Sequence, residues 1–413
     1  MLLELIADKD IYFAIIKEKW LSAKETYPDF LSEISKETKE RNEQYLQAVT
    51  SGFQKQLQSF SRIPFGRKKW KHNTLSLVKD ILSHESIIDL HSNADNQRID
   101  AFLEEIIDFL HHVREFAPEL SFEDIGQAIR NYIVYVMFKE INYISTGYSS
   151  AGFGYSMLYP FTDNYIDNSS CSNMDKIEYN QLIRDKIKGN NIHPKSTHQK
   201  KTCDLLQAIA SDYPRDQDDS IYHLLLMMLD AQEVSIRQQN KEDPLSYEER
   251  LDISIYKGGI SVLIDRCLVN KELTKEDLIY YLGVGYFLQL ADDLQDIMED
   301  SQKGYQTIFT VDLSSRQEEA LVNKMLHFIY TIMEEYRADN DSFKNFILAN
   351  CYQLIHTSVI GSKEFFSSEY LKRTERYLPV TYPYFERWRK SMIFSKDIKL
   401  QKKHMKLLDS ILI

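Results

Sequence analysis

The sequence predicts an all-α protein, and three observations carry that prediction. Glycine and proline are scarce, 13 and 9 in 413 residues, roughly half of average usage. Strict apolar/polar alternation, the mark of a half-buried strand, is hard to find. Apolar positions recur instead at the spacing that gives a helix one buried face. With 43% hydrophobic residues the chain has material for a sizeable core, and no linker or low-complexity stretch forces a division. The simplest architecture is one large helical bundle over residues 116–413, with an N-terminal helical portion, residues 1–115, packed on it.

Helical patterns run first over residues 2–24, 29–60, 73–90, 98–114 and 122–143. Breaks fall at Ile63-Pro-Phe-Gly66 and His91-Ser-Asn-Ala-Asp-Asn96, and Thr146-Gly-Tyr-Ser-Ser-Ala-Gly-Phe-Gly154 reads as a loop. Patterns over 157–168, 175–188 and 198–211 follow, with Gly189-Asn-Asn-Ile-His-Pro194 between the last two. The next pair, 220–239 and 246–269, is parted at Glu242-Asp-Pro244. Thr274-Lys-Glu-Asp277 opens a helix over 274–300, a threonine cap with acids in the first turn. The last patterns cover 315–337, 341–372 and 381–412.

The formal net charge of −12 argues against a nucleic-acid partner, which calls for a basic footprint. The most basic stretch, Phe65-Gly-Arg-Lys-Lys-Trp-Lys71, is short and isolated and reads as a solvated loop. Cys171, Cys203, Cys267 and Cys351 lie far apart with no CxxC spacing, as free thiols in a reducing cytosol would. The N-terminus lacks the basic region of a signal peptide. The longest aliphatic run, Leu224 to Leu229, is too short to span a bilayer. A soluble, cytoplasmic protein without a transmembrane segment is expected.

The chemistry concentrates in Gln289-Leu-Ala-Asp-Asp-Leu-Gln-Asp-Ile-Met-Glu-Asp300. Asp292, Asp296 and Asp300 are four apart, which stacks three carboxylates on one helix face, with Asp293 at its edge. Like charges at this spacing destabilise a bare helix by a few tenths of a kcal/mol per pair. A solvated acidic face is the bland explanation, but the preceding turns are small and apolar, as in a buried helix. Oxygen-rich sites of this kind suit hard cations. A second pair stands in Leu158-Tyr-Pro-Phe-Thr-Asp-Asn-Tyr-Ile-Asp-Asn168. Asp163 and Asp167 share a helix face among aromatic neighbours, and Pro160 fits an early helix position. Carboxylates gathered around one cavity cannot all stay ionised without cations between them. Mg²⁺ takes one or two carboxylates, keeps waters and completes its shell with substrate phosphate oxygens.

On these residues the chain resembles the class I isoprenoid (terpenoid) synthase superfamily, in which two aspartate-rich motifs on facing helices bind Mg²⁺ and a prenyl diphosphate. Asp163-Asn-Tyr-Ile-Asp167 resembles the first motif, DDxxD or DxxxD, with Asn164 at its second position. Asp292, Asp296 and Asp300 resemble an all-aspartate form of the second motif of terpene cyclases, NDxxSxxxE. The separation of the two is similar to the family's. Phe287 to Asp296 also resembles the FQxxDDxxD of chain-elongating prenyltransferases. Gln289-Leu with Asp296-Ile-Met-Glu-Asp300 and Gly304 resembles squalene/phytoene synthases. Tyr247-Glu-Glu-Arg250 is similar to the segment carrying a diphosphate-sensing arginine, Lys257 to a phosphate-binding lysine, and Arg376-Tyr377 to the C-terminal pair that grips diphosphate in cyclases. The first 115 residues resemble nothing placeable.

The resemblance implies three Mg²⁺, with Mn²⁺ able to substitute, a prenyl diphosphate substrate and a lyase that ionises and cyclises it. It leaves a homodimer open. Abundant aromatics, 26 Tyr and 21 Phe, point to a C20 substrate, geranylgeranyl diphosphate. Tyr132, Tyr135, Phe138, Tyr159, Phe161 and Tyr286 are candidates to line a cavity that stabilises a cation. Chain elongation is disfavoured because Asn168-Ser-Ser-Cys-Ser-Asn173 lacks the Arg-Arg that follows the first motif in elongating enzymes. Head-to-head coupling stays open, as does a non-catalytic helical prenyl-diphosphate-binding or scaffold protein. No His-Asp pair supports an HD phosphohydrolase, and no paired ExxH motifs support a di-iron bundle. Asp230, Glu233 and Arg237 read as an intrahelical ion-pair face.

Overall fold

A computed structural model describes residues 2–60, 64–85, 87–145, 147–166, 171–217, 219–310, 313–392 and 398–412. Among the described residues all regular structure is helical, and no β-strand occurs. The N-terminal portion comprises α1 (Leu2–Ala7), α2 (Lys9–Ser22), α3 (Lys36–Gln58), α4 (Pro64–His84) and α5 (Asn96–Phe116). The bundle continues with α6 (Phe122–Ile141), α7 (Ser150–Ile166), α8 (Asn173–Ile187), α9 (Thr197–Asp212), α10 (Ser220–Ser235), α11 (Tyr247–Val269) and α12 (Lys275–Gln295). It ends with α13 (Ile297–Lys303), α14 (Ser315–Glu335), α15 (Asp341–Gly361), α16 (Ser368–Glu375), α17 (Tyr382–Met392) and α18 (Ile398–Leu412). No helix among the described residues is long and apolar enough to cross a membrane.

Local chemistry starts the helices that matter most. Ser121, Ser246 and Thr274 each accept from the backbone N–H three residues on. Asp124, Glu249 and Asp277 reach back to the cap, completing reciprocal capping boxes on α6, α11 and α12. The Thr274 cap is where the sequence places it.

Three local readings need correction. The stretch 146–154 is not all loop: α7 begins at Ser150, and its glycines serve packing. A Cβ on Gly152 would come within 2.8 Å of the Tyr135 ring, and one on Gly154 within 2.6 Å of the Leu205 carbonyl oxygen. These contacts seat α7 against α6 and α9. Pro160 therefore lies inside the helix, not at its start. The basic stretch 65–71 is helical, the opening turns of α4, and buries Trp70, whose indole N–H donates to the Gln56 carbonyl at 2.7 Å.

At the centre α11 and α12 cross in backbone contact. A Cβ at Gly258 or at Gly285 would fall well inside 3.0 Å of the other residue's carbonyl oxygen. Only glycine at both positions permits this approach. Around the pair pack α6, α10, α14, α15 and α2. The main core cluster includes Ile16 and Trp20 of α2 and Phe109 and Val113 of α5, so apolar packing runs through residues 115–116 without interruption.

Candidate functional site

The α11–α12 crossing sets the site. It places Lys257, beside Gly258, against Gln289 and Asp292, one and two turns beyond Gly285. Asp163, near the end of α7, faces the same space. Its Oδ1 accepts from Gln232 Nε2 of α10 at 2.7 Å and from Thr162 Oγ1 at 3.1 Å.

Two adjoining hollows share Asp163, Lys257, Gln289 and Asp292. The outer one, an acidic cleft of about 220 Å³, adds Asp293, Asp296, Asp300 and Lys303. The inner one, about 300 Å³, adds Gln127, Arg130 and Asn131 of α6 and an apolar side that includes Val134, Met228 and Leu288. Thus the structure gathers Asp163, Lys257 and all four aspartates of the 292–300 run around one depression. Asp167 lies outside the described residues.

The aspartate stripe crosses a helix junction. Residue 296 is the C-cap of α12 and the N-cap of α13. Backbone bonds from Asp296 N to the Asp292 carbonyl (3.0 Å) and from Asp300 N to the Asp296 carbonyl (2.8 Å) nevertheless keep the four-residue register. Gly304 closes α13 at φ 69°, a left-handed geometry that favours glycine, and the returning chain brings Tyr305 and Thr307 to the cleft.

Enclosure by protein raises every one of these acids. Burial pushes Asp293 up to about 8; its Oδ1 accepts from Gln289 Nε2 at 2.9 Å, while its buried Oδ2 has no hydrogen-bond partner. Asp296 and Asp300 are pushed up to about 6, by desolvation first and by neighbouring carboxylates second. Asp292 opens to water in the cleft yet has protein on most sides. Desolvation raises it, and Lys257 and Arg130 pull it back. A cation in the cleft would favour the ionised form of each of them. Among the described residues no three Asp, Glu, His or Cys side chains converge closely enough to hold an ion by themselves. The carboxylates fit an ion that completes its shell with water or ligand oxygens, and not a closed cage of protein ligands.

The remaining candidates fall elsewhere. Arg250 is buried, 7% exposed, at the start of α11 with its Nε unpartnered, and lines neither hollow. Arg376 is exposed and pairs with Glu33 at 3.2 Å. Tyr377 packs on Tyr27 and stacks on His356. Neither lines the cleft or the inner cavity. Of the aromatic candidates only Tyr159 lines the inner cavity, its hydroxyl 2.5 Å from Ser261 Oγ. Tyr132 stacks on Phe109, Phe138 meets Tyr281 edge-on, and Tyr286 packs between Trp20 and Phe328. Asp230 and Glu233 do not form an intrahelical face with Arg237. They clamp Arg184 of α8 at 2.7 and 2.8 Å, and Arg237 pairs with Glu249.

Sequence reasoning missed Arg130, Gln127 and Asn131. A single exposed arginine on α6 has no local pattern, and only the tertiary fold brings it opposite Lys257. Asn164, the departure from DDxxD, turns away from the cleft. Its Nδ2 donates to Asp124 Oδ1 at 2.7 Å and to Gln127 Oε1 at 3.1 Å, tying α7 to α6. The chain matches no protein-family model, no curated protein and no solved structure.

Proposed function

We propose that this protein is a Mg²⁺-dependent class I terpene synthase that ionises a linear prenyl diphosphate, geranylgeranyl diphosphate by preference, and cyclises the resulting cation. One observation carries the reading. Asp163 on α7 and the Asp292–Asp296–Asp300 register on α12–α13, far apart in sequence, line one cleft that adjoins a partly apolar cavity.

Bound Mg²⁺ would neutralise the diphosphate and stabilise it as a leaving group. Asp163, Asp292, Asp296 and Asp300 would hold the ions. The Gln232 amide orients Asp163, as the Gln289 amide orients Asp293. Lys257 supplies a fixed positive charge where the departing diphosphate develops its own negative charge. Val134, Met228, Leu288 and the Tyr159 ring would shield the hydrocarbon end from water.

Prenyl coupling is the second reading, and two observations favour it. Arg376 and Tyr377, the pair that points to cyclisation, are engaged with Glu33, Tyr27 and His356 instead. The inner cavity is also lined in part by charged and amide side chains. Incubation with Mg²⁺ and geranyl, farnesyl or geranylgeranyl diphosphate singly, followed by gas chromatography and a diphosphate-release assay, decides between them. A cyclic product from one substrate alone supports the terpene synthase. Product that forms only when a second prenyl or isopentenyl diphosphate is added establishes coupling and overturns cyclisation.

A further inference from the structure

Charge is unevenly distributed along this chain. Residues 44–79 carry seven lysines and arginines and no aspartate or glutamate, and residues 387–408 carry eight and a single acid, Asp397. These two stretches hold 15 of the 50 cations and one of the 62 acids in a chain of formal net charge −12. The fold brings them together. α3 and α4 pack antiparallel, with the Tyr45 hydroxyl on the Ile81 carbonyl and Gln56 Nε2 on the Trp70 carbonyl and Thr74 Oγ1, the last two at 2.9 Å. α18 packs along α4, and Lys71 Nζ donates to the Leu412 carbonyl at 3.3 Å. Trp70 turns inward, which leaves Lys55, Arg67, Lys68 and Lys69 exposed at one end of the pair and Lys406 exposed on α18. Elsewhere exposed cations meet acids: Lys79 pairs with Asp100, Lys195 with Glu178 and Lys303 with Glu299. Among the described residues the side chains of Lys55, Lys68, Lys69 and Lys406 make no ion pair. Arg67 and Lys71 are four apart and Lys68 and Lys71 three apart, spacings at which like charges weaken a helix. The crowding does not serve α4 itself, and it suits an extended anionic surface outside the protein.

We propose that this polybasic end of α3 and α4, with α18 beside it, docks the protein on an anionic lipid bilayer. Two observations favour a bilayer over a nucleic acid. Phe60 packs edge-on against the buried Trp70, so the rings nearest these cations are spent on each other and not offered to bases. In the two stretches lysines outnumber arginines 11 to 4. Lysine is a point charge that answers a diffuse negative surface, whereas the arginine fork suits individual phosphates. The docking surface does not depend on the functional reading above, which supplies only its use: a long-chain prenyl diphosphate is an amphiphile that partitions into bilayers.

Flotation with phosphatidylcholine vesicles carrying about 30 mol% phosphatidylserine tests the surface. The wild-type chain should float with these vesicles and not with pure phosphatidylcholine, and high salt should release it, because exposed charges are screened. Lys68→Glu combined with Lys69→Glu should weaken binding about tenfold or more, since each lysine near an anionic surface contributes about fivefold. Lys195→Glu combined with Lys200→Glu makes the same change of net charge at exposed positions elsewhere and should bind as wild type does. All four lysines are exposed, so both double variants should keep the wild-type circular dichroism spectrum. Three results would each overturn the proposal: no flotation of the wild type, wild-type binding by the folded Lys68/Lys69 variant, or equal loss in the two double variants. Tighter binding to single-stranded RNA than to the anionic vesicles at the same salt would also overturn it and make this face a nucleic-acid surface. Failure of the functional reading looks different: flotation would persist while no prenyl diphosphate released diphosphate in Mg²⁺.

Discussion

A carboxylate taken out of water makes a fold sensitive to pH, and Glu318 does this far from the cleft. It is 2% exposed in the first turn of α14, its Oε2 has no partner, and burial pushes it up to about 8. Between the ordinary glutamate value and about 8 the folded state binds the proton that the unfolded chain has released, so stability falls as pH rises through that window. Glu318→Gln removes the penalty and keeps the shape. It should stabilise the fold by on the order of 2 kcal/mol at pH 8 and leave it unchanged near pH 4.5. Urea unfolding at the two pH values reads the difference, and an equal shift at both would rule out titration as the cause. Asp163→Asn and Asp292→Asn bear on the cleft. Each should abolish turnover and weaken Mg²⁺ binding measured by calorimetry with pyrophosphate present, while far-ultraviolet dichroism stays unchanged. Full activity in both variants would show that the site lies elsewhere.

Between helices, positioning depends on close approach and on polar ties. Gly258 and Gly285 allow α11 and α12 to touch, and that contact sets Lys257 against Asp292. Gly285→Ala must push the helices apart. The expected cost is about 1–3 kcal/mol, as for other overpacked interfaces, with a loss of cleft activity larger than stability alone explains. A variant with a lower Tm but wild-type activity per folded molecule would break the link between the crossing and the site. Asn164→Asp should lower Tm because it puts a second carboxylate against Asp124. The same contacts explain what could be read in advance. The aspartate register was legible because three carboxylates four apart follow helix geometry, and the Thr274 cap because its signature is local. Gly152 and Gly154 looked like loop residues because glycine marks a turn and a tight helix contact alike. Arg376 could not be placed from spacing, because its partner Glu33 comes from the other end of the chain. Arg130 was invisible because it means something only opposite Lys257.

Across the whole molecule, the N-terminal portion closes the bundle that carries the site. Trp20 is fully buried, donates its indole N–H to the Tyr247 hydroxyl at 2.8 Å and meets Tyr286 and Phe328 edge-on, behind the helix that bears Asp292. After α2 the chain runs along α14, where Asn323 Nδ2 donates to the Glu25 carbonyl at 2.7 Å, and on to the C-terminal segment, where Ile34 N donates to the Arg376 carbonyl at 2.9 Å. Asn42 Nδ2 then donates to the Pro379 carbonyl at 2.9 Å, and Lys39 to that of Glu375. Removing residues 1–115 would expose the apolar backs of α11, α12 and α14 and leave these donors and acceptors unpaired. A fragment of residues 116–413 should therefore show no cooperative thermal transition. Trp20→Ala in the full chain should cost about 3–5 kcal/mol and reduce activity only through the unfolded fraction. Arg376→Ala tests the same arrangement from the other end. The ion pair with Glu33 is exposed and worth under about 1 kcal/mol, so the variant should keep both its Tm within a few degrees and its turnover. A large fall in turnover with Tm unchanged would mean that the C-terminal segment leaves Glu33 and Tyr27 to close over the cleft during the reaction. In that case the N-terminal portion would act as the latch that holds it open.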